Sequence, residues 1–440
     1  MLGFERLMKR PRLWRKPPDQ NSAQKLTLLI LGSLVQGQTL KNINVRLWDH
    51  SMWPDAHPRA ATLVLNRPSA LREMLLPGTE AGAGEAYLDL AFDLEGNIEA
   101  AFELADHLME RTNGWTKKLE LGHLLLQLPD RPSSCDGHKR QAQLNGDCHS
   151  LKRDREAISF HYNVSNDFYA LWLDKQMAYS CAYFHQPTDD LETAQISKFD
   201  HICQKLALRP GQRLLDIGCG WGGLILYAAR NYGVEAEGIT LSHHQMEYVQ
   251  ERIKGEGMVG RVSVRLQDYR ELPEDCSYDA IASVGMVEHV GRGKLSTYFG
   301  KALRLMKPGG LFLNHGIGLG PVILPGESGS FIQYHVFPDS DLVSIGDMLK
   351  AGEGQGWEIR DVESLREHYA LTLRQWIVRL EANHDSALRY VDEGTYRIWR
   401  LYMAGCAHNF QLGRVSIYQT LLAKLSQNGT SRAPAVRRGA

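Results

Sequence analysis

The chain has 440 residues, enough for two or three domains and a sizeable core. Its 43% hydrophobic and 23% charged residues, with a formal net charge of −1, are ordinary for a globular protein and leave no global field for nucleic acid. The longest apolar run, Leu26–Val35, is about half of the roughly 20 residues a spanning helix needs. No apolar core follows the N-terminal charges, so no signal peptide is expected. The seven cysteines (Cys135, Cys148, Cys181, Cys203, Cys219, Cys276 and Cys406) are scattered, odd in number and form no C-x-x-C pair. That argues against a disulfide framework or a metal site and fits a reducing cytosol.

Residues 1–23 read as a basic tail. Arg6, Lys9, Arg10, Arg12, Arg15 and Lys16 stand against the single acid Glu5, with Leu2, Phe4, Leu7, Met8, Leu13 and Trp14 interleaved. Such a segment is either a solvated tail or a contact for anionic lipid. Residues 24–128 read as a small α+β domain, a candidate for lipid docking. Its expected strands are Asn44–Trp48, Ala61–Asn66 and Ala86–Leu90, and its expected helices Asn97–Arg111 and Trp115–Leu128. Residues 129–156 are polar and broken by Pro, Gly and Ser, which predicts a linker. From 157 to 425 strands and helices alternate. Strands are expected at Arg213–Ile217, Val234–Thr240, Val262–Gln267, Tyr278–Val284 and Leu311–His315, and helices at Leu224–Asn231, His243–Gly255 and Tyr396–Phe410. Alternation of this kind predicts an α/β domain with a mostly parallel sheet, helices on both faces and ligands beyond the carboxyl ends of the strands. Asp216, Thr240, Asp268, Glu288 and His315 all fall at such ends. Residues 426–440 read as a disordered tail.

The strand-to-helix turn Asp216-Ile217-Gly218-Cys219-Gly220-Trp221-Gly222-Gly223 reads D-x-G-x-G-x-G. Glycines there let a ligand approach the backbone. The pattern differs from the dinucleotide fingerprint G-x-G-x-x-G. An acid two positions before the first glycine suits a ligand with a cationic amino-acid end and no pyrophosphate, such as S-adenosylmethionine. A tight turn with no ligand is the plain alternative.

Four further clusters accompany this turn. They are His161–Tyr169 with Tyr179–Phe184, Gly238–Gln245, Ser283–Gly291 and His368–Trp376. Together, in this order, they resemble the cyclopropane-fatty-acyl-phospholipid synthase family over about residues 157–425. The resemblance implies a Rossmann-like class I methyltransferase domain that uses S-adenosylmethionine. It also implies that Tyr179 and Ser180 close over the cofactor. Asp216, Gly218, Cys219, Gly220, Trp221 and Gly222 would hold its amino-acid end, and Thr240, Leu241, Ser242 and Gln245 its ribose and adenine. Gln267 and Asp268 would face the adenine edge. From the residues alone, Ser242 is more simply an N-cap.

The reaction implied is methylene transfer to a cis double bond of an unsaturated phospholipid chain, with bicarbonate as the base. Its ligands would be Glu288, His315, Tyr369 and backbone around Cys181 and Ile317. Tyr162, Phe168, Tyr169, Tyr183, Phe184 and Tyr334 could shield a cation, or simply pack in the core. A cysteine at the place of Cys406 has been taken for a nucleophile in the family; here it reads as a buried structural thiol. The family's F-P-G-G is replaced by Phe337-Pro338-Asp339-Ser340-Asp341, which leaves room for a sister activity making methyl- or methylene-branched chains. A non-catalytic lipid-binding protein is the reading from another class. The enzyme readings imply a cytoplasmic protein on the inner membrane face; a homodimer is compatible with them and not required.

Overall fold

Leu214 and Leu215 are neighbours on one strand and point to opposite faces, yet both are fully buried. The same holds for Ala280 and Ile281, and for Phe312 and Leu313. A sheet covered on both faces requires such continuous apolar runs. The computed structural model shows this sheet. It describes residues 19–34, 42–111, 114–131, 150–151, 153–154, 156, 164–322, 331–337 and 339–434. The basic segment within residues 1–16, most of the 129–156 linker, Tyr162 and Pro338 lie outside the described residues.

The chain divides into two compact units, Met1–His138 and Lys139–Ala440. The first holds a four-stranded sheet of β1 (Ile43–Arg46), β2 (Met52–Trp53), β3 (Ala61–Leu65) and β4 (Phe92–Gly96), in the order β2-β1-β3-β4. Strands β1 and β3 are parallel; the other two pairings are antiparallel. The strand expected at Ala86–Leu90 is instead the end of a helix, Glu80–Leu88. Thr79 caps that helix by accepting the Gly82 amide, and the chain turns into β4 only after Ala91. The alternation A-Y-L-D-L resembled a strand, but the capped start upstream decides for the helix.

The second unit holds seven strands. They are β5 (Arg213–Ile217), β6 (Glu235–Thr240), β7 (Val262–Leu266), β8 (Tyr278–Val284), β9 (Met306–Leu319), β10 (Glu358–Ser364) and β11 (Val415–Ala423). Their order is β10-β11-β9-β8-β5-β6-β7. Strands β5 to β9 pair in parallel, whereas β11 runs antiparallel to both β9 and β10. The architecture is the expected mixed α/β class with a mostly parallel sheet. Strand β9 is longer than Leu311–His315, and β10 and β11 were not foreseen. The alternation in β10 is masked by Glu358, Arg360, Asp361 and Glu363. Strand β11 carries the buried polar residues Ser416, Gln419 and Thr420 because it lies inside the sheet.

One face is covered by helices Leu191–Lys205, Gly223–Tyr232 and His243–Gly255, and the other by Leu295–Leu305 and Ile345–Glu353. Sequence order reverses at β5, with β6 on one side and β8 on the other, so a crevice opens at its carboxyl end. Two long helices, Arg366–Ala382 and Glu393–Gln411, pack against each other. The residues expected as a disordered tail are tied down as far as 434. Ser426 and Thr430 close a turn, and the Arg432 amide donates to the Gly309 carbonyl. Backbone groups near the sheet end supply partners that composition does not reveal.

Candidate active site

At the carboxyl end of β5 the chain makes its glycine turn. Gly218, Gly220 and Gly222 have φ of 84°, 52° and 81°, a left-handed region that favours glycine. This explains the every-second-residue spacing. The amides of Gly218 and Cys219 both donate to the Ile239 carbonyl at 3.0 Å, which fixes the turn to β6. The turn floors a cleft of about 1230 Å³, counted out to its open mouth.

Of the residues expected at a cofactor, Tyr179, Ser180, Asp216, Gly218, Cys219, Gly220, Trp221, Thr240, Leu241, Gln245, Gln267 and Asp268 line this cleft. Gly222 and Ser242 do not. A Cβ at Gly222 would come within 3.0 Å of Val249, so this glycine serves packing at the start of helix Gly223–Tyr232. Ser242 is the N-cap of helix His243–Gly255, accepting the Gln245 amide. Its own amide donates to Thr240 Oγ1 at 3.1 Å, while Thr240 Oγ1 donates to Gln245 Oε1 at 2.6 Å. Asp268 faces the cleft with its carboxylate held by Arg270, at 2.9 Å to Oδ1 and 2.7 Å to Oδ2.

Asp216 is buried, and its Oδ1 has no partner among the described residues. Burial pushes its carboxyl up to about 7, opposed by the nearby Lys198 charge. Lys198, fully buried in the same wall, donates from Nζ to Ser180 Oγ at 2.8 Å. Sequence reasoning missed it. The signal was there: Leu191, Ala194, Lys198, Phe199 and Ile202 form one buried helical stripe, and a lysine on such a stripe is anomalous. Asp154 was also missed. It lies in the expected linker, yet it lines the cleft and pairs with Arg270 at 2.8 Å.

The second set of expected residues gathers around β9. Parallel register sets His315 beside Val284, the last residue of β8, and antiparallel register sets it beside Gln419. His315 is fully buried, and burial pushes its pKa down to about 3. It is therefore neutral. The Gln419 amide lies 3.4 Å from His315 Nδ1 and leaves Nε2 as the free ring nitrogen. Nε2 has no partner among the described residues.

Glu288 sits in the 3-10 turn Val287–His289, just beyond β8. Its Oε1 accepts the Ile317 amide at 2.8 Å, and its buried Oε2 has no partner among the described residues. Burial raises its pKa to about 7. The Ile317 amide, expected to face an ion, is thus committed to Glu288.

Tyr369 and Cys181 meet near Leu365. The Leu365 amide donates to Ile417, which pairs with Ile317, and the Leu365 carbonyl accepts the Tyr369 amide and lies 3.7 Å from Cys181 Sγ. Both side chains are buried, and burial pushes the Cys181 thiol well up. Cys406 departs from expectation. It is partly exposed on helix Glu393–Gln411, although Ala404 and Ala407 beside it are buried. The apolar face of a helix is an arc, and Cys406 falls at its edge.

Among the aromatics, Phe168 and Tyr169 are fully buried, and Phe184 is buried too. Tyr183 stacks between His201 and His368, with centroids 4.2 and 5.0 Å away. Tyr334 is 46% exposed and shields nothing in this arrangement. Trp172 and Trp399, unremarked in the sequence, build a cluster with Tyr169, Tyr179 and Trp376. Its centroid spacings run from 5.3 Å for Tyr179–Trp376 to 5.9 Å for Tyr179–Trp399.

A glycine turn at the reversal point of this sheet, with a buried acid whose Oδ1 has no partner among the described residues, is the arrangement of a class I S-adenosylmethionine-dependent methyltransferase. Comparison with known proteins narrows the class. The family model described as mycolic acid cyclopropane synthetase matches residues 149–420. A Pseudomonas putida protein named "Probable fatty acid methyltransferase" is 40% identical over 398 residues, 90% of this chain and 95% of its own length. The cyclopropane-fatty-acyl-phospholipid synthase of Escherichia coli K12 is 38% identical over 269 residues, 61% of this chain and 68% of its own. The solved mycolic acid cyclopropane synthase CmaA1, complexed with SAH and CTAB, has a TM-score of 0.58 at 33% identity, covering 61% of this chain and 98% of its own. The chain belongs to the mycolic acid cyclopropane synthetase family.

Proposed function

We propose that the protein transfers the methyl carbon of S-adenosylmethionine to a cis double bond in an unsaturated phospholipid acyl chain and closes a cyclopropane ring, with bicarbonate assistance. The observation that carries this is a pair of buried atoms without a partner among the described residues, Glu288 Oε2 in the turn just beyond β8 and His315 Nε2 on the neighbouring β9. With Glu288 ionised and His315 carrying its hydrogen on Nε2, they are an acceptor and a donor, and together they suit a small hydroxylated oxyanion.

The cleft fits the cofactor on the same kind of ground. Asp216 Oδ1 is an orphaned acceptor facing it, and the glycine turn leaves the backbone bare. Asp216 orients a cationic amino-acid end, and Thr240, Gln245 and Gln267 offer polar groups along the rest of the cleft. S-adenosylmethionine supplies an electrophilic methyl group when bound. An alkene is a weak nucleophile, so the site must hold the acyl chain in line with that methyl. Attack leaves a cation on the acyl chain, and ring closure requires loss of one proton. Bicarbonate bound between Glu288, His315 and Tyr369 would supply the base. Neutral His315 donates from Nε2, and Glu288 accepts through Oε2 when ionised. The aromatic cluster around Trp172 and Trp376 excludes water and favours a nearby cation.

The name of the Pseudomonas putida relative, at 40% identity, supports a second reading: transfer that leaves a methyl or methylene branch without a ring. In either case we place the enzyme on the cytoplasmic membrane face as a peripheral protein. No helix among the described residues is long and apolar enough to cross a membrane.

Mass spectrometry of lipids from cells expressing the chain tests both readings. A gain of one CH2 per modified chain shows transfer. Co-elution with a cyclopropane standard establishes the first reading, and co-elution with a branched standard the second. Unaltered lipids in cells holding folded protein would overturn both.

A further inference from the structure

Helix Leu191–Lys205 turns two polar side chains inward one turn apart, Gln195 and Lys198, which are 0% and 1% exposed. Gln195 Nε2 donates to the carbonyls of Ala178 and Ser180 at 3.2 and 3.0 Å, which holds that segment against the helix. Lys198 Nζ donates to Ser180 Oγ at 2.8 Å and lies 4.7 Å from the centroid of the Phe199 ring. An ammonium has three hydrogens to donate, so this one has capacity left. No carboxylate among the described residues comes within 4.0 Å of it.

Two acids act on Lys198 through space, Asp174 and Asp216. The Asp174 oxygens are taken by the amides of Ala178 and Gln176, each at 2.8 Å. Asp216 Oδ1 has no partner among the described residues. The cleft wall therefore presents a buried cation with donors to spare and a buried anion with an acceptor to spare, which do not pair with each other. Burying both charges is costly unless something satisfies them. A zwitterion lying across them would do so.

We propose that Lys198, with Ser180, receives the α-carboxylate at the amino-acid end of S-adenosylmethionine, while Asp216 takes the α-ammonium. This rests on the cofactor reading of the cleft and adds the group that recognises the carboxylate. It makes Lys198 a binding residue, and it distinguishes the amino-acid end from any plain cation that Asp216 alone would accept.

Calorimetry on the full chain with three probes tests it: S-adenosylhomocysteine, its decarboxylated analogue, which keeps only the ammonium, and methylthioadenosine, which lacks both groups. The wild type should bind S-adenosylhomocysteine about ten-fold or more tighter than the decarboxylated analogue, as for a charged hydrogen bond. Lys198→Met, which keeps the length of the stem, should abolish that preference and leave methylthioadenosine binding unchanged. Equal wild-type affinity for the first two probes would overturn the assignment even if the variant failed to fold. A preference that survives in folded Lys198→Met would overturn it as well. Wild-type protein that binds none of the three would overturn the cofactor reading together with this one.

Discussion

Asp216 and Glu288 are buried carboxyls with raised pKa values, and each gives a test. The Asp216 carboxyl titrates near 7, well above its ordinary 3.8, because burial disfavours its charge. A cationic ligand needs the ionised form, so affinity for S-adenosylmethionine should rise with pH up to about 7 and flatten beyond. Folding shows the opposite slope. Between 3.8 and about 7 the folded state holds a proton that the unfolded state has lost, so this group's contribution to ligand-free stability falls as pH rises. Asp216→Asn should weaken binding, remove its pH dependence and flatten that part of the stability profile. Calorimetry and denaturant titrations between pH 5 and 8 measure these effects.

Glu288→Gln should spare cofactor affinity while slowing turnover by ~10²-fold or more, if proton removal is what it supports. Stripping bicarbonate from the buffer should slow the wild type, and restoring it should recover the rate. A rate indifferent to bicarbonate would count against this base. Cys406 is partly exposed at the edge of its helix face. Cys406→Ser should retain substantial activity in a lipid assay, whereas a covalent thiol mechanism requires near-total loss.

At the scale of elements, the departure Phe337-Pro338-Asp339-Ser340-Asp341 acquires a structural meaning. Asp339 has φ of 65°, the left-handed region where glycine would sit easily. Its carboxylate forms a two-pronged ion pair with Arg153, at 2.5 Å to Nε and 2.8 Å to Nη2. Asp341 accepts the Arg292 amide at 2.9 Å and donates its own amide to the Glu288 carbonyl at 3.2 Å. The added charges are therefore joined to the end of the expected linker and to the turn that carries Glu288. Because Asp154, next to Arg153, lines the cleft, loosening this pair should reach the cofactor. Arg153→Ala and Asp339→Gly should each reduce cofactor affinity a few-fold, by similar amounts. A double-mutant cycle should give a coupling of roughly 0.5–3 kcal/mol, as expected for residues in direct contact. Additive losses would mean that the pair does not couple in solution.

At the scale of the whole molecule, the proposed substrate lies in a membrane, so the chain needs a docking surface. The basic, apolar-interleaved residues 1–16 and the unit Met1–His138 are the available candidates. Each Lys or Arg near an anionic surface contributes about 1 kcal/mol, screened beyond a Debye length. Deleting residues 1–16 should lower binding to anionic vesicles in a sedimentation assay, and high salt should mimic the deletion. Activity on detergent-dispersed substrate should persist, since Asp216, Glu288, His315 and Tyr369 all lie in the second unit. Equal vesicle binding by both forms at low salt would move docking to the folded part of the first unit.

What could be read from the sequence by itself is what short segments encode. Strands β5 and β8 declare themselves through the buried apolar pairs Leu214–Leu215 and Ala280–Ile281, and the glycine turn follows β5 within a few residues. Strand ends then locate Asp216, Thr240 and Glu288 without any knowledge of their neighbours. The same local view misassigned Ala86–Leu90, where helix capping outweighed alternation, and overlooked β10, whose charges hide its period. Only tertiary structure decided which distant residues meet. Gln419 meets the ring of His315 from 104 positions away, and Arg153 reaches Asp339 across 186. Lys198 comes to face Asp216 only when a helix packs beside β5. Such pairings arise from strand order and helix packing, where contact does not depend on separation along the chain, so no window of sequence contains them.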